Sequence, residues 1–131
     1  MDLQANVNGD PLEICSLEPL TGFYRDGRTT TGPEDVGAHT VCTVVTAEFL
    51  EHQASIGNDL ATPMPAYGFP GLVPGDRWAV CASRWLEAYA AGVKAPVVLR
   101  ATTLAALDDV PLDALVECAA DAPDDASSLL E

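Results

Sequence analysis

Two short apolar runs, each leading into a helix signal, limit what this chain can fold into. Thr40-Val41-Cys42-Thr43-Val44-Val45 is β-branched almost throughout and reads as a buried strand. Thr46 then offers a helix cap, Glu48 suits the positive end of the helix dipole, and Phe49, Leu50 and Ile56 form an apolar stripe that Gly57 closes. Arg77-Trp78-Ala79-Val80-Cys81-Ala82 reads as a second strand. After it, Ser83 reads as the cap of a helix to Ala91, with Trp85, Leu86 and Tyr89 on one face and Gly92 at its end. Val41-Cys42 and Val80-Cys81 thus each precede a capped helix, but their distances to it differ, so they do not form an internal repeat. A third strand is predicted over Pro96–Ala101 and a weak helical stretch over Thr103–Leu107. Pro111 suits the first turn of a last helix through Cys118, whose apolar face is Leu112, Leu115, Val116 and Ala119. Upstream, Asp26-Gly27 between the β-compatible segments Gly22–Arg25 and Arg28–Thr31 predicts a hairpin, because Asp-Gly tolerates φ > 0. Together these elements predict an α+β fold, a small two-layer sandwich with helices packed on one face of a short sheet.

At 131 residues the chain is long enough for one domain with a real core, predicted over residues 1–119. Residues 120–131 carry no basic side chain and read as an acidic, disordered tail. The 20 acidic and 6 basic residues leave a net charge of −14, with Lys94 the one lysine. Such a balance excludes nucleic acid and anionic membrane surfaces as partners, since both require clustered Lys or Arg. It fits a salt-rich cell, because at ~1 M salt the Debye length shrinks to ~3 Å and mutual repulsion becomes tolerable. A high-GC genome, which favours Ala, Arg and Asp over Lys, explains the same composition. Residues 1–6 lack the basic and apolar regions of a secretory signal, so a cytoplasmic location is expected. In that compartment Cys15, Cys42, Cys81 and Cys118 are expected as free thiols.

From Asn58 to Asp76 four prolines and three glycines alternate with Leu60, Met64, Tyr67, Phe69, Leu72 and Val73. Flexible linkers lack such large apolar side chains, so an ordered loop pinned to the core is expected. This loop and the turn at residues 31–39 are the expected walls of a ligand cleft. Cys81 is the sharpest chemical candidate: it precedes a helix and lies near Arg77 and Arg84, surroundings that favour a thiolate. A cysteine in an apolar strand also serves simply as a small buried hydrophobe. Cys42 follows His39 by three residues, a thiol–imidazole pair that can form only if the strand begins after His39. Otherwise His39 has a structural or capping role. Arg25-Asp26 and Asp76-Arg77 read as polar anchors in ion pairs at loop–strand junctions. The cysteine spacings match no zinc finger or ribbon, and no nucleotide, metalloprotease or serine-hydrolase motif is present. No metal site and no cofactor are therefore expected.

The blocks TGFYRDG (21–27), TGPEDVGAHTVCTVVTAEFLE (31–51), GNDLATPMPAYGFPGL (57–72) and GDRWAVCASRWLEAYAAGVKAPVVL (75–99) resemble the uncharacterised bacterial domain-of-unknown-function family 2237 over residues 6–119. The resemblance implies a small α+β fold and no established activity, substrate or cofactor. It also implies further cysteines at positions that hold Arg28, Thr29 and Ala79 here, leaving Cys15, Cys42 and Cys81 as the matching thiols. Its pattern places Asp26, Asp35, His39, Asp76, Arg77 and Arg84 in this chain, a polar set larger than packing requires. Three roles are open at this point. One is a small-molecule binding domain using Asp35, Asp76, Arg77, Arg84 and Arg25. Another is a thiol enzyme using Cys81, with Cys42 and His39 as the other candidates, and the third is a protein–protein module docking through its apolar loop.

Overall fold

The computed structural model describes residues 4–121. Two strands, β1 (Val41–Val44) and β2 (Arg77–Val80), pair antiparallel with Val41 opposite Val80 and Thr43 opposite Trp78. Three α-helices accompany them: α1 (Ala47–Ser55), α2 (Ala82–Ala90) and α3 (Leu112–Glu117). This is a small α+β fold with a two-stranded sheet at its centre.

Alternation along the strands divides the core. Val41 and Thr43 share one face with Val80 and Trp78, whereas Cys42 and Val44 share the other with Ala79 and Arg77. The first face carries the main core, in which Val41, Trp78 and Val80 join Phe49 and Leu50 of α1, Ala82, Trp85 and Ala88 of α2, and Ala114 and Leu115 of α3. The opposite face is covered by a smaller cluster in which Cys42 meets Cys15, Val98 and Ala101. The helix signals work as the sequence indicates at α1, where Thr46 Oγ1 accepts from the Phe49 N–H at 3.0 Å and Gly57 follows at φ 86°. At α2 the cap is Cys81 rather than Ser83, which lies inside the helix.

The expected third strand shrinks to a single bridging residue. Val97 bridges both Thr43 and Ala119, after which Leu99–Ala101 turns into a 3₁₀ segment. The reason is a side chain: Asp121 accepts the amides of Leu99 (2.6 Å) and Arg100 (3.0 Å), which a continuing strand would have given to a neighbour. Ala120 also donates to the Val97 carbonyl, so residues 120 and 121 belong to the folded unit; the rest of the expected tail, 122–131, lies outside the described residues. The hairpin at Asp26-Gly27 does not form either. Asp26 accepts from the Arg28 N–H and Thr30 Oγ1, folding the segment back on its own side chain, while the Gly27 carbonyl pairs with Cys15 and Ser16. The stretch Thr103–Leu107 is a 3₁₀ turn over Leu104–Asp108, and Pro111 caps α3 from outside.

The long loop is ordered at its ends. Leu72 is buried, Leu60 and Phe69 pack against the core, and the Phe69 ring meets the edge of Trp78 at 5.3 Å. Gly71 closes it: at φ 79° its Cα approaches so near the Ala61 carbonyl that a Cβ would sit 2.5 Å from that oxygen. Among the described residues no helix is long and apolar enough to cross a membrane.

Candidate functional site

Two cysteines, one in β1 and one directly after β2, have opposite surroundings. Cys42 is fully buried and forms a disulfide with Cys15, closing a separation of 27 residues. The expectation of four free thiols is therefore corrected, and Cys42 leaves the set of candidate nucleophiles. The covalent bond also explains why Cys42 does not pair with His39, although β1 does begin after that residue. Cys81 and Cys118 remain free and half-buried. For Cys118, burial and then the Glu117 carboxylate push the thiol above its ordinary range, which makes it an inert partner of α3.

Cys81 sits where β2 ends and α2 begins, and the turn of residues 31–39 folds over it. In that turn the Asp35 side chain is wholly buried and satisfied on several sides. Its Oδ1 contacts His39 Nδ1 at 2.6 Å, and its Oδ2 accepts from the His39 N–H at 2.9 Å and from Thr31 Oγ1 at 3.0 Å. Burial opposes ionisation of this carboxyl, but the His39 and Thr31 bonds outweigh it and hold its pKa below the usual carboxylate range. His39 in turn is pushed up to about 9, first by its hydrogen bond to Cys81 and then, against the cost of burial, by Asp35. The contact is close on both sides of Gly37, where an added Cβ would lie 3.0 Å from His39 Cε1 and 3.3 Å from Cys81 Sγ. Phe23 stacks on the imidazole at a centroid distance of 5.9 Å. Carboxylate, imidazole and thiol thus gather around the turn, with Nδ1 engaged by Asp35 and the ring lying beside Cys81 across Gly37.

The start of α2 contributes backbone donors. The Ala82 N–H is taken by the Ala38 carbonyl, while the Ser83 and Arg84 N–H groups have no acceptor among the described residues. Cys81 does not cap them with its side chain. Beside the thiol lies a slot of about 60 Å³, lined by His39, Cys81, Asn58, Leu60 and β2 residues Trp78 to Val80. Its walls come from both of the loops that the sequence marks out.

Residues 5–119 match the family described as an uncharacterised protein conserved in bacteria, DUF2237. The chain is a DUF2237 protein. No curated protein matches it.

The remaining candidate residues of this DUF2237 chain do not converge on Cys81. Arg25 lies over the Trp78 ring at 5.4 Å and donates to the Gly22 carbonyl, with a backbone φ of 55°. Asp76 receives the Val73 N–H, and Arg77 is exposed on the far face of the sheet. Asp76-Arg77 does sit where the loop enters β2, whereas Arg25-Asp26 lies in a turn away from both strands, and among the described residues neither pair makes the expected ion pairs. Arg84 pairs with Glu87 at 3.4 Å on the surface of α2, an exposed contact of little energetic consequence. No cluster of three metal-ligating side chains occurs among the described residues. On the loop, Met64, Tyr67 and Val73 are exposed, the feature on which a protein-docking role would rest. The sequence offers His39 as an activator of Cys81, but the two lie 42 positions apart and no local pattern brings them together. The signal within reach was Asp35-x-x-x-His39, a spacing that lets one tight turn bring a carboxylate to an imidazole.

Proposed function

We propose that this DUF2237 protein is a thiol-dependent enzyme in which Cys81 is the nucleophile, His39 its proton partner and Asp35 the group that orients His39. The observation that carries the reading is the buried Asp35 held to His39 Nδ1 at 2.6 Å, with the same imidazole beside Cys81 across Gly37. A nucleophile, a base within reach and a third group fixing the base is the arrangement that covalent catalysis requires. With its pKa pushed up to about 9, His39 carries a proton at neutral pH beside the thiol it serves. The free amides of Ser83 and Arg84 are suited to negative charge developing on a substrate oxygen next to Sγ. Acyl or related group transfer through a thioester is the reaction class that fits these parts. A binding domain with its cleft between loops 31–39 and 58–76 would use the same slot, but would leave the thiol unreactive. We also read the acidic surface as suited to concentrated salt, consistent with the net charge of −14.

The deciding measurement is the rate of Cys81 alkylation by iodoacetamide from pH 5 to 9, followed by mass spectrometry. Fast labelling at pH 6, lost in His39→Ala, is the expected result. A rate that rises only towards ~8.5, as for an isolated thiol, overturns the enzyme reading in favour of the binding cleft.

A further inference from the structure

The slot beside Cys81 has two apolar walls, Leu60 and Trp78, and one amide, Asn58. At about 60 Å³ it is far smaller than the ~300 Å³ and upwards of pockets for drug-sized ligands or cofactors. Since each water needs ~10–15 Å³ of such space, the slot admits a group of only a few non-hydrogen atoms.

Asn58 is not a casual lining residue. It follows α1, and its position is set by Gln53, a fully buried polar side chain of that helix. Gln53 Oε1 accepts from Asn58 Nδ2 at 2.8 Å, Gln53 Nε2 donates to the Arg84 carbonyl at 3.2 Å, and the Asn58 N–H donates to the Gln53 carbonyl at 2.7 Å. The buried amide thereby locks Asn58 to α1 and to the first turn of α2 at once. Burying an amide is costly unless each end is bonded, so Gln53 holds this geometry stiffly. One half of the Asn58 amide is consumed in the process. Its Oδ1 accepts no hydrogen bond from the described residues, and Asn58 supplies the one side-chain amide among the residues that line the slot.

We propose that Asn58 determines substrate specificity, accepting a hydrogen bond from an N–H on a small uncharged carbonyl compound, a primary carboxamide or urea-like group, while Cys81 attacks it. The proposal rests on the thiol-enzyme reading and names the substrate class of the same site. A carbonyl compound of that size places its carbon at Sγ, its oxygen towards the amides that start α2 and its nitrogen towards Asn58. The Sγ–C bond forms as the C–N bond breaks, ammonia leaves with the thiol proton passed through His39, and water then cleaves the acylated thiol to restore Cys81. A methyl in place of the NH₂ would leave the Asn58 acceptor desolvated without a partner, which is the source of discrimination.

Chloroacetamide and chloroacetone test this, being near-isosteric electrophiles that differ in NH₂ against CH₃. With either one, a bond forms from Sγ to the methylene carbon, the C–Cl bond breaks, chloride leaves with the electron pair, and the thiol proton is held by His39. Rates at Cys81 of the full chain are divided by the rates of the same reagents with a free thiol. The wild type is expected to favour chloroacetamide roughly three- to tenfold, and Asn58→Ala to lose that preference. Because the readout is a ratio on one thiol, partial destabilisation of the variant does not mimic the loss. Leu60→Ala, which widens the slot at the apolar wall, is expected to keep the preference and to admit the bulkier chloroacetanilide. An equal ratio in wild type and Asn58→Ala overturns the role of Asn58 while leaving a reactive thiol intact. If Cys81 reacts with neither reagent faster than the free thiol, the enzyme reading fails and the specificity proposal fails with it.

Discussion

Each strand of the small sheet leads to a cysteine just after a valine, one inside β1 and one directly past the end of β2, and the two residues have opposite fates. Cys42 points into the minor cluster, where Cys15 meets it and an apolar wall of Val98 and Ala101 surrounds the bond. Cys81 has left the strand register: β2 ends at Val80 and α2 begins at Ala82, so its side chain stands at a helix start beside a polar turn. Distance from strand to helix makes the difference. Cys42 lies mid-strand and is held by its partners, whereas Cys81 occupies the single residue between two elements, where no ladder position claims it. The lesson is that burial and thiol chemistry here follow from local register rather than from the identity of neighbouring residues.

The largest expected effect separates the two sites by stability. Replacing Cys15 and Cys42 together by alanine is expected to lower unfolding free energy by about 3–4 kcal/mol, from the loop the bond closes. Cys81 alkylation at pH 6 should change by less than about twofold in that variant if the faces are independent. Denaturant unfolding and mass-spectrometric labelling check the two halves, and a joint collapse would show that the faces are coupled. A smaller effect comes from pH. The folded-state pKa of His39 is raised to about 9 from 6.5, so its contribution to stability is complete below about 6.5 and disappears as pH climbs through about 9. Since Cys81 is the foremost cause, the loss of stability across this window should flatten in Cys81→Ala, and the His39 imidazole titration followed by NMR should move down. Asp35→Asn should move it down as well, by less. The smallest effect is expected from Gly37→Ala. Its methyl presses on both His39 and Cys81, so labelling should slow roughly threefold to tenfold with little change in Tm.

Strand and helix positions were legible wherever chain-local chemistry decides them. Thr46 caps α1 because a threonine before an amphipathic run has one good use, and Gly57 and Gly92 end helices at positive φ for the same kind of reason. The hairpin and the third strand were misread because single side chains overrode propensity. Asp26 takes the Arg28 amide along with the Thr30 hydroxyl, and Asp121 takes the Leu99 and Arg100 amides, three backbone donors that a strand ladder would have used. No local pattern shows a carboxylate arriving from 21 residues further along the chain. At the site, Cys81, His39 and Asp35 all stood out by residue type, yet their association depends on how the turn of residues 31–39 folds over the end of β2. Asn58 did not stand out at all, since a lone asparagine after a helix has many ordinary roles. The disulfide was masked by compartment reasoning, which judged all four cysteines together when the fold treats them separately.

Asp121 sets a lower limit on how far the chain can be trimmed. The family match stops at residue 119, two positions before the carboxylate that receives the Leu99 and Arg100 amides and the Arg100 side chain. A fragment cut at the family boundary would leave two backbone donors beside Val97 and Val98 facing water, and would remove the Ala120 amide from the Val97 carbonyl. Val98 lies in the cluster with the disulfide and Val97 in the main core beside β1, so fraying would begin where the two sides of the sheet meet, next to the bond that is meant to hold one of them closed. A boundary drawn by sequence similarity and the boundary of the cooperative unit are, in this molecule, two different residues.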